Sequence, residues 1–264
     1  MKRQTVKLNL ARNCLRYVIK AYDIKEINVP YYICPTVLSA IRKENCIIKF
    51  YHIDQNFYPQ KEFNKDEFIL YPNYFGVCSN QVFELSKQYK NLIVDNAHNF
   101  YMPDCGFASF NSLRKFFNLK DGAFLNISKT VNINFETDNY SYDKFNSITY
   151  EDMKSNELRL NDEPIKLISP TTEKYFSEID TEKEKQTRLI KFYELHEKYK
   201  NKNELKINLD KYDVPFVYPY LTHDETEAEN LEEEGYTILR YWNYLPEDFP
   251  EYVLYKYLIP IPLK

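Results

Sequence analysis

The chain has 264 residues, which is enough for one large domain or for a large domain with a smaller one attached. Hydrophobic residues make up 44% of the sequence and aromatic residues 17%, as in a globular chain that buries a core. Aspartate and glutamate (39) outnumber lysine and arginine (35), and basic residues form no long run, so we expect no nucleic-acid partner.

The N-terminal stretch MKRQTVKLNLARNCLRYVIKAY is basic at its start, but charged residues interrupt its apolar runs before a signal-peptide core can form. Its second half, LARNCLRYVIKAY, has apolar residues at helical spacing and predicts a helix. No stretch of the chain approaches the roughly 18 apolar residues of a membrane span, so we expect no membrane partner.

Short apolar strands and amphipathic helices alternate over residues 1–125. After the first helix come the strand IKEINVP, the helix TVLSAIRKE, the strands CIIKFYHID and EFILYPNYFG, the helix QVFELSKQY and the strand NLIVDN. This alternation predicts an α/β fold whose mostly parallel sheet is covered on both faces. Ligands of such sheets bind beyond the carboxyl ends of the strands, here in the loops VPYYICP, YPNYFGV and DNAHNF.

The sequence changes character near residue 126, where a segment rich in Asn, Ser, Asp and Tyr predicts a connecting or capping region. A strongly charged helix, TEKYFSEIDTEKEKQTRLIKFYELHEKYKNK, follows it. The last stretch, VPFVYPYLTHDETEAENLEEEGYTILRYWNYLP, predicts a strand, a helix and a strand. We therefore expect a large domain over residues 1–165, and a linking helix with a small α+β domain over residues 166–264.

The sulfur and imidazole side chains are scattered along the chain. Five cysteines, with no CxxC motif, are most simply free thiols in a reducing cytoplasm. The four histidines lie far apart and no HExxH motif occurs, so we expect no metal site. The acidic run HDETEAENLEEEG favours a solvated helix face over a metal site. Neither a glycine-rich nucleotide motif nor a GxSxG elbow is present.

Two residues twenty positions apart suggest a chemical function. Asp95, the penultimate residue of the predicted strand NLIVDN, is either a helix cap or turn former or a fixed anion that holds a cationic ligand group. Lys115, in SLRKFF, is either an extended surface lysine or a reactive amine whose pKa is lowered by partial burial and by Arg114. An acid for a pyridinium nitrogen and a lysine for a Schiff base are the minimal set for pyridoxal 5'-phosphate.

The order of the motifs LNLARNCLRYVI, NVPYYICPTVLSAI, KFYHIDQNFYP, ILYPNYFG, LIVDNAHNF and SLRKFFNLKDGAFL resembles the fold-type I, DegT-like sugar aminotransferases. It is most similar to their divergent relatives with an SLRK…DG motif, which are encoded among polysaccharide genes, and this chain would be a shortened member. The likeness covers residues 8–125 and resumes at the charged helix and in the C-terminal stretch. It implies the α/β fold of the pyridoxal-phosphate-dependent transferases, fold type I, with that cofactor bound.

Four residues receive roles from this resemblance. Asp95 pairs with the pyridine nitrogen of the cofactor and keeps it protonated. His98 takes the position near the phenolic oxygen where the family usually has glutamine. Lys115 attaches the cofactor covalently and, once released, moves a proton as the catalytic base. Ser112, three residues before it, donates a hydrogen bond to the phosphate.

The resemblance also places the phosphate at the N terminus of the first helix, at Ala11 and Arg12. Family members usually have a glycine and a hydroxyl residue there; alanine still allows close approach, and Arg12 adds charge. Tyr32 best matches the aromatic residue over the pyridine ring, with Tyr31 as the alternative, although interior packing explains either tyrosine equally well. Trp242 lies either near the mouth of the site or in the core.

Substrate-binding residues are expected in two places. Asn73 and Tyr74 lie in the loop YPNYFGV at the end of a predicted strand. Arg240, at the end of the predicted strand YTIL, is our candidate for the carboxylate of the amino donor, with Arg12 as the alternative. For Arg240 and Arg12, exposure at the protein surface remains the alternative interpretation. Arg188, in the charged helix, is expected to be solvated.

The resemblance implies a cytoplasmic, homodimeric aminotransferase with a small-molecule amino donor and a sugar acceptor. The acceptor is expected to be a keto sugar, nucleotide-linked, or a related small carbonyl compound in cell-surface polysaccharide biosynthesis. A homodimer is expected because sites in this fold are completed across an interface. Because family members are longer, a degenerate, non-catalytic binding or assembly subunit is the alternative. A pyridoxal-phosphate enzyme with other carbon–nitrogen chemistry is the third possibility.

Overall fold

The structure, a computed structural model, describes residues 3–144, 155, 157–242 and 245–263. Within these residues seven strands form one sheet in the order β1-β7-β6-β5-β4-β2-β3. The strands are β1 (Gln4–Leu8), β2 (Glu26–Pro30), β3 (Ile47–Tyr51), β4 (Ile69–Pro72), β5 (Leu92–Asn96), β6 (Ala108–Asn111) and β7 (Ala123–Ile127). Strands β2 to β6 are parallel, whereas β7 runs antiparallel to both β6 and β1. The expected α/β fold with a mostly parallel sheet is therefore confirmed.

The described helices alternate with these strands and continue beyond them. They are α1 (Ala11–Tyr22), α2 (Pro35–Lys43), α3 (Ser79–Gln88), α4 (Leu113–Phe116), α5 (Ser141–Lys144), α6 (Pro170–Ser177), α7 (Thr181–Tyr199), α8 (Glu227–Glu233) and α9 (Tyr252–Tyr257). Every helix and strand that we predicted up to residue 96 is present. Strand β1 was not predicted because it lies at the edge of the sheet, where four of its five residues are exposed or half-buried and form no apolar run.

Helix α1 brings its N terminus to the carboxyl side of the sheet. Its residues Cys14, Leu15, Val18 and Ile19 recur at helical spacing, are buried, and belong to the cluster that packs against β6 and β7. The N-cap residue is Leu10, whose side chain makes no capping hydrogen bond. The first N–H groups of α1 therefore lack the acceptor that a polar N-cap side chain supplies.

The C-terminal part differs from the prediction in two respects. The charged stretch forms two helices, α6 and α7, because Asp180 accepts a hydrogen bond from the backbone N–H of Lys183 (3.0 Å) and caps a new helix. Residues 236–239, the predicted strand YTIL, form no strand. Strand β8 (Val217–Leu221) pairs instead with β9 (Leu258–Pro262), antiparallel, so the small sheet joins segments that are distant in sequence.

The two expected domains share one hydrophobic cluster. Tyr74, beyond the end of β4, belongs to the same buried cluster as Leu221 and Leu258 from the small sheet. Gly76 (φ 78°) makes this approach possible, since a Cβ atom there would lie 2.8 Å from the carbonyl oxygen of Val214. A division near residue 165 remains a prediction. In the described part of the chain, no helix combines the length and apolar character needed to cross a bilayer.

Candidate functional site

A cavity of about 670 Å³ lies where β5 and β6 end and where α1 begins. Five of the residues singled out in the sequence line it: Ala11, Arg12, Asp95, Ser112 and Lys115. Further lining residues come from separate segments and include Cys34, Thr36, Arg114, Asn118, Lys120, Glu157 and Phe216. The acid and the lysine that suggested a chemical function thus meet at one cavity.

Asp95 is the penultimate residue of β5 and is partly buried. Its Oδ1 atom accepts a hydrogen bond from the backbone N–H of Ala97 (2.9 Å), which makes the turn that follows the strand. Burial raises the pKa of the Asp95 carboxyl, and the Ala97 hydrogen bond and the charge of Lys115 partly offset this effect. Asp95 therefore forms a turn, as one interpretation of the sequence held, and it also lines the cavity. Its role as an anion for a cationic ligand group stays a prediction.

Lys115 is carried by the short helix α4, which follows β6 directly. The backbone N–H of Leu113 donates to the carbonyl of Gly122 (3.0 Å) and so ties the start of α4 to the chain before β7. The Lys115 Nζ atom lies 5.3 Å from the ring centre of Phe216. Burial lowers the pKa of the Lys115 amine, although the nearby Cys34 and Asp95 side chains oppose this shift. The side chain therefore belongs to the cavity wall and not to an exposed surface.

Ser112 and the N terminus of α1 form a second side of the cavity. Ser112 is buried (5% exposed) and precedes α4 without making a capping hydrogen bond. Arg12 binds the side chains of Glu157 and Asn161, and Arg114 Nη2 donates to Glu157 Oε1 (2.7 Å). Burial would raise the pKa of Glu157, but the two arginines outweigh it and bring this pKa to about 2. Glu157 is therefore ionised at neutral pH.

His98 does not line the cavity. Its ring lies between those of Phe216 (centroids 5.1 Å apart) and Trp242 (5.6 Å), in an aromatic cluster. Burial, together with the charge of Lys115, holds the pKa of His98 well below its usual range. Asp95 and Ala97, two residues apart, face the cavity, whereas His98 packs into the aromatic cluster. His98 is therefore a neutral side chain that packs in the interior.

Tyr32, Asn73 and Tyr74 also lie outside the cavity. The ring of Tyr32 stacks on that of Tyr74 (6.0 Å, 12°), and the Tyr74 hydroxyl donates to the carbonyl of Tyr32 (3.0 Å). Asn73 donates to Asn96 Oδ1 (3.2 Å) and accepts from the backbone N–H of Cys78 (3.1 Å). These bonds fix the loop after β4. The interior-packing interpretation of Tyr32 therefore describes its position.

Arg240 is not brought to the cavity either. Its Nη1 atom donates to the backbone carbonyls of Lys256 (2.5 Å) and Leu258 (3.2 Å), where α9 passes into β9. The neighbouring Trp242 packs edge-on against Tyr32 (4.7 Å) in the interior. Both residues therefore hold the C-terminal segment in place. Arg240 does not reach the cavity because the strand that was expected to point it there does not form.

Several lining residues were not identified from the sequence. Cys34 ends the loop after β2 and Thr36 lies in the first turn of α2, and the rule that ligands gather beyond parallel strands could have identified them. Glu157 and Phe216 reach the cavity only through contacts with residues far away in sequence, for which no local pattern exists. Among the described residues, no cluster of three or more His, Cys, Asp or Glu side chains could hold a metal ion.

The chain has the fold of several solved aminotransferase structures. It matches the Spr1654 protein of Streptococcus pneumoniae in its PMP form with a TM-score of 0.67 and 11% identity, covering 98% of this chain and 81% of that one. PseC of Helicobacter pylori, an aminotransferase involved in pseudoaminic acid biosynthesis, gives 0.60 at 14% identity, with coverage of 98% and 81%. The sugar aminotransferase CalS13 of Micromonospora echinospora gives 0.61 at 11% identity, with coverage of 98% and 82%.

These likenesses confirm the expected fold, that of the pyridoxal-phosphate-dependent transferases of fold type I. No protein-family profile and no curated protein matches the sequence. At identities of 11% to 14%, a structural likeness shows the fold alone. The function has to be argued from the residues that line the cavity.

Proposed function

We propose that this chain is a pyridoxal 5'-phosphate-dependent aminotransferase that transfers an amino group to a sugar. The observation that carries the proposal is the meeting of Asp95 and Lys115 at one cavity, although Asp95 comes from strand β5 and Lys115 from helix α4. The fold supports it, because the structures of this fold include sugar aminotransferases and a PMP-bound form.

The residues at the cavity fit the proposed cofactor. Asp95 supplies a carboxylate for a protonated ring nitrogen, and Lys115 supplies an amine for covalent attachment. Ser112 and the N–H groups at the start of α1, at Ala11 and Arg12, supply donors for a phosphate. The cofactor, when bound, supplies an electron sink that makes a Cα–H bond of the amino donor acidic.

Lys115 is suited to move that proton. Because burial lowers its pKa, a larger fraction of the amine is neutral near pH 7 than for an exposed lysine. The ring of Phe216 covers one side of the amine and limits its contact with water. We assign Lys115 the catalytic role, and Asp95, Ser112, Ala11 and Arg12 cofactor binding. The remaining candidates, which lie outside the cavity, receive no ligand-binding role: His98, Tyr32, Asn73, Tyr74 and Arg240.

The finer proposal concerns the acceptor. We expect a keto sugar linked to a nucleotide, used in cell-surface polysaccharide biosynthesis in the cytoplasm by a homodimer. The cavity supports an anionic ligand, because four basic side chains line it against two acidic ones: Arg12, Arg114, Lys115 and Lys120 against Asp95 and Glu157.

Single-turnover spectroscopy tests the proposed activity. The purified protein is loaded with pyridoxal 5'-phosphate and mixed with L-glutamate, and the conversion of the bound cofactor to its pyridoxamine form is followed by absorbance. We expect conversion in the native chain and none in Lys115→Ala. A native protein that binds the cofactor but converts with no common amino donor would favour the non-catalytic binding subunit.

A further inference from the structure

Two arginines from different elements hold one carboxylate at the cavity. Arg12 belongs to the first turn of α1, and Arg114 to α4, one residue before Lys115. Arg12 pairs with Oε2 of Glu157, and Arg114 with its Oε1 at 2.7 Å. All three side chains line the cavity. Glu157 thus occupies the point where the two guanidinium groups converge.

The charges at this point are not balanced. One ionised carboxylate faces two guanidinium groups, and over the whole cavity four basic side chains lie against two acidic ones. A phosphate monoester carries a charge of about −1.5 to −2 at pH 7 and offers three acceptor oxygens. Arginine binds such a group through two parallel N–H donors. A phosphate would therefore balance the charges of Arg12 and Arg114 better than the single carboxylate of Glu157 does, and it offers more acceptor oxygens.

The surroundings of the arginines also favour an anion. Ser112, two residues before Arg114, is buried at the cavity without a capping hydrogen bond. At the start of α1, the N-cap residue Leu10 offers no side-chain acceptor to the first N–H groups. The helix dipole and these donors add to the attraction of the two guanidinium groups.

We propose that Arg12 and Arg114 form a binding site for the phosphate of a phosphate monoester, and that Glu157 competes with this phosphate for both guanidinium groups. The phosphate can come from two sources. The first is the cofactor, and for this source the inference rests on the proposed function. A phosphorylated substrate is the second source. Glu157 therefore lowers the affinity of the site for phosphate, and removing its charge raises that affinity.

Calorimetric titration with inorganic phosphate tests the competition directly. We expect Glu157→Gln to bind phosphate about tenfold more tightly than the native chain, which corresponds to about 1.4 kcal/mol. Arg114→Gln should bind it at least about tenfold more weakly, because one of the two forks is lost. Thermal unfolding of each variant checks that it is folded, and Glu157→Gln alone decides the test if Arg114→Gln does not fold.

Glu44→Gln is the matched control. Glu44 is also a carboxylate shared by two basic side chains, Arg16 (2.7 Å) and Lys20 (2.6 Å), but it does not line the cavity. We expect its phosphate affinity to equal that of the native chain. Native affinity in Glu157→Gln, or an equal gain in Glu44→Gln, would overturn the proposal, because the effect would then be absent or due to net charge alone.

Two further titrations identify the source of the phosphate. If the site takes the cofactor phosphate, Glu157→Gln tightens binding of pyridoxal 5'-phosphate but not of pyridoxal, and a loaded protein no longer binds inorganic phosphate. If the site takes a substrate phosphate, the loaded protein still binds inorganic phosphate, and Glu157→Gln tightens that binding. A chain that binds no cofactor would contradict the proposed function, while the inorganic phosphate titration would still decide this proposal.

Discussion

The guanidinium group of Arg188 donates a hydrogen bond to the backbone carbonyl of Phe116, the residue that follows Lys115 (Nη2–O 3.2 Å). It also donates to the carbonyl of Phe216 (3.4 Å), whose ring lies beside the Lys115 amine. Its Nε atom pairs with Glu184 (2.9 Å), one turn earlier in α7. Arg188 thus joins α7 to α4, which carries Lys115, and to the segment of Phe216, which lies beside the Lys115 amine. The charged sequence predicts a solvated Arg188, but its side chain is only 11% exposed.

Replacing Arg188 should therefore destabilise the fold around Lys115. We expect Arg188→Gln to lower the free energy of unfolding by about 2 kcal/mol, because hydrogen bonds from a charged group are lost and buried carbonyls lose their donor. Urea denaturation measures this change. The control is Lys191→Gln, on the same helix, whose pair with Glu194 is exposed; it should change the free energy by less than about 0.5 kcal/mol. Equal effects of the two variants would contradict the buried role of Arg188.

The lowered pKa of Lys115 predicts unusual reactivity. An amine reacts with electrophiles in its neutral form, so Lys115 should become reactive at a lower pH than exposed lysines. Lys49 is the internal reference, because its hydrogen bond with Glu26 raises its pKa. Labelling with a small amine-reactive reagent, read by mass spectrometry across pH, should place the midpoint of Lys115 below 10.5 and that of Lys49 above it. The opposite order would show that the Lys115 amine is well solvated.

The Asp95 carboxylate should support activity but lower the free energy of unfolding at pH 7. Burial raises its pKa above 3.8, so the folded chain binds this proton more tightly than the unfolded chain does. The contribution of Asp95 to stability therefore falls as the pH rises from 3.8 through the raised pKa. Asp95→Asn should accordingly be more stable than the native chain at pH 7, and this difference should shrink below pH 3.8. Denaturation at both pH values measures it.

The same variant should lose activity. Without the carboxylate, the ring nitrogen of a bound cofactor is not held protonated, and removal of the donor's Cα proton should slow by about 10²–10³-fold. Single-turnover rates with L-glutamate measure this loss. An Asp95→Asn protein with native rates would remove Asp95 from the site, whatever its effect on stability.

Arg240 should act on stability alone. Because its guanidinium group donates to two backbone carbonyls between α9 and β9, Arg240→Ala should lower the free energy of unfolding by about 1–2 kcal/mol. Its single-turnover rate with glutamate should match the native rate, since the side chain does not line the cavity. A native stability combined with a lost rate would return Arg240 to the donor site.

Apart from β1, the helices and strands up to residue 96 could be predicted because each of them carries its own pattern. The apolar run LIVDN predicts the buried strand β5, and the spacing of Cys14, Leu15 and Val18 predicts α1. The break between α6 and α7 was missed, although Asp180 is a good N-cap residue, because charged residues continue on both sides of it. The pairing of β8 with β9 could not be predicted locally, since the two strands lie far apart in sequence.

The positions of two residues that line the cavity could be predicted, because each of them follows closely from the end of one strand. Asp95 follows from the end of β5, and Lys115 from the motif after β6. The sequence does not decide on which side His98 and Tyr32 pack, because the side to which a loop residue turns depends on its tertiary neighbours, here Trp242 in both cases. The sequence around such residues contains no periodicity from which the orientation could be read.

The attachment of a cofactor to Lys115 is the central claim, and borohydride reduction tests it most directly. The protein is incubated with pyridoxal 5'-phosphate, reduced and digested, and the modified lysine is identified by mass spectrometry. We predict one modified residue, Lys115, and no specific modification in Lys115→Ala. Stoichiometric modification of Lys120, which lines the same cavity, or no specific modification of the native chain would contradict the account.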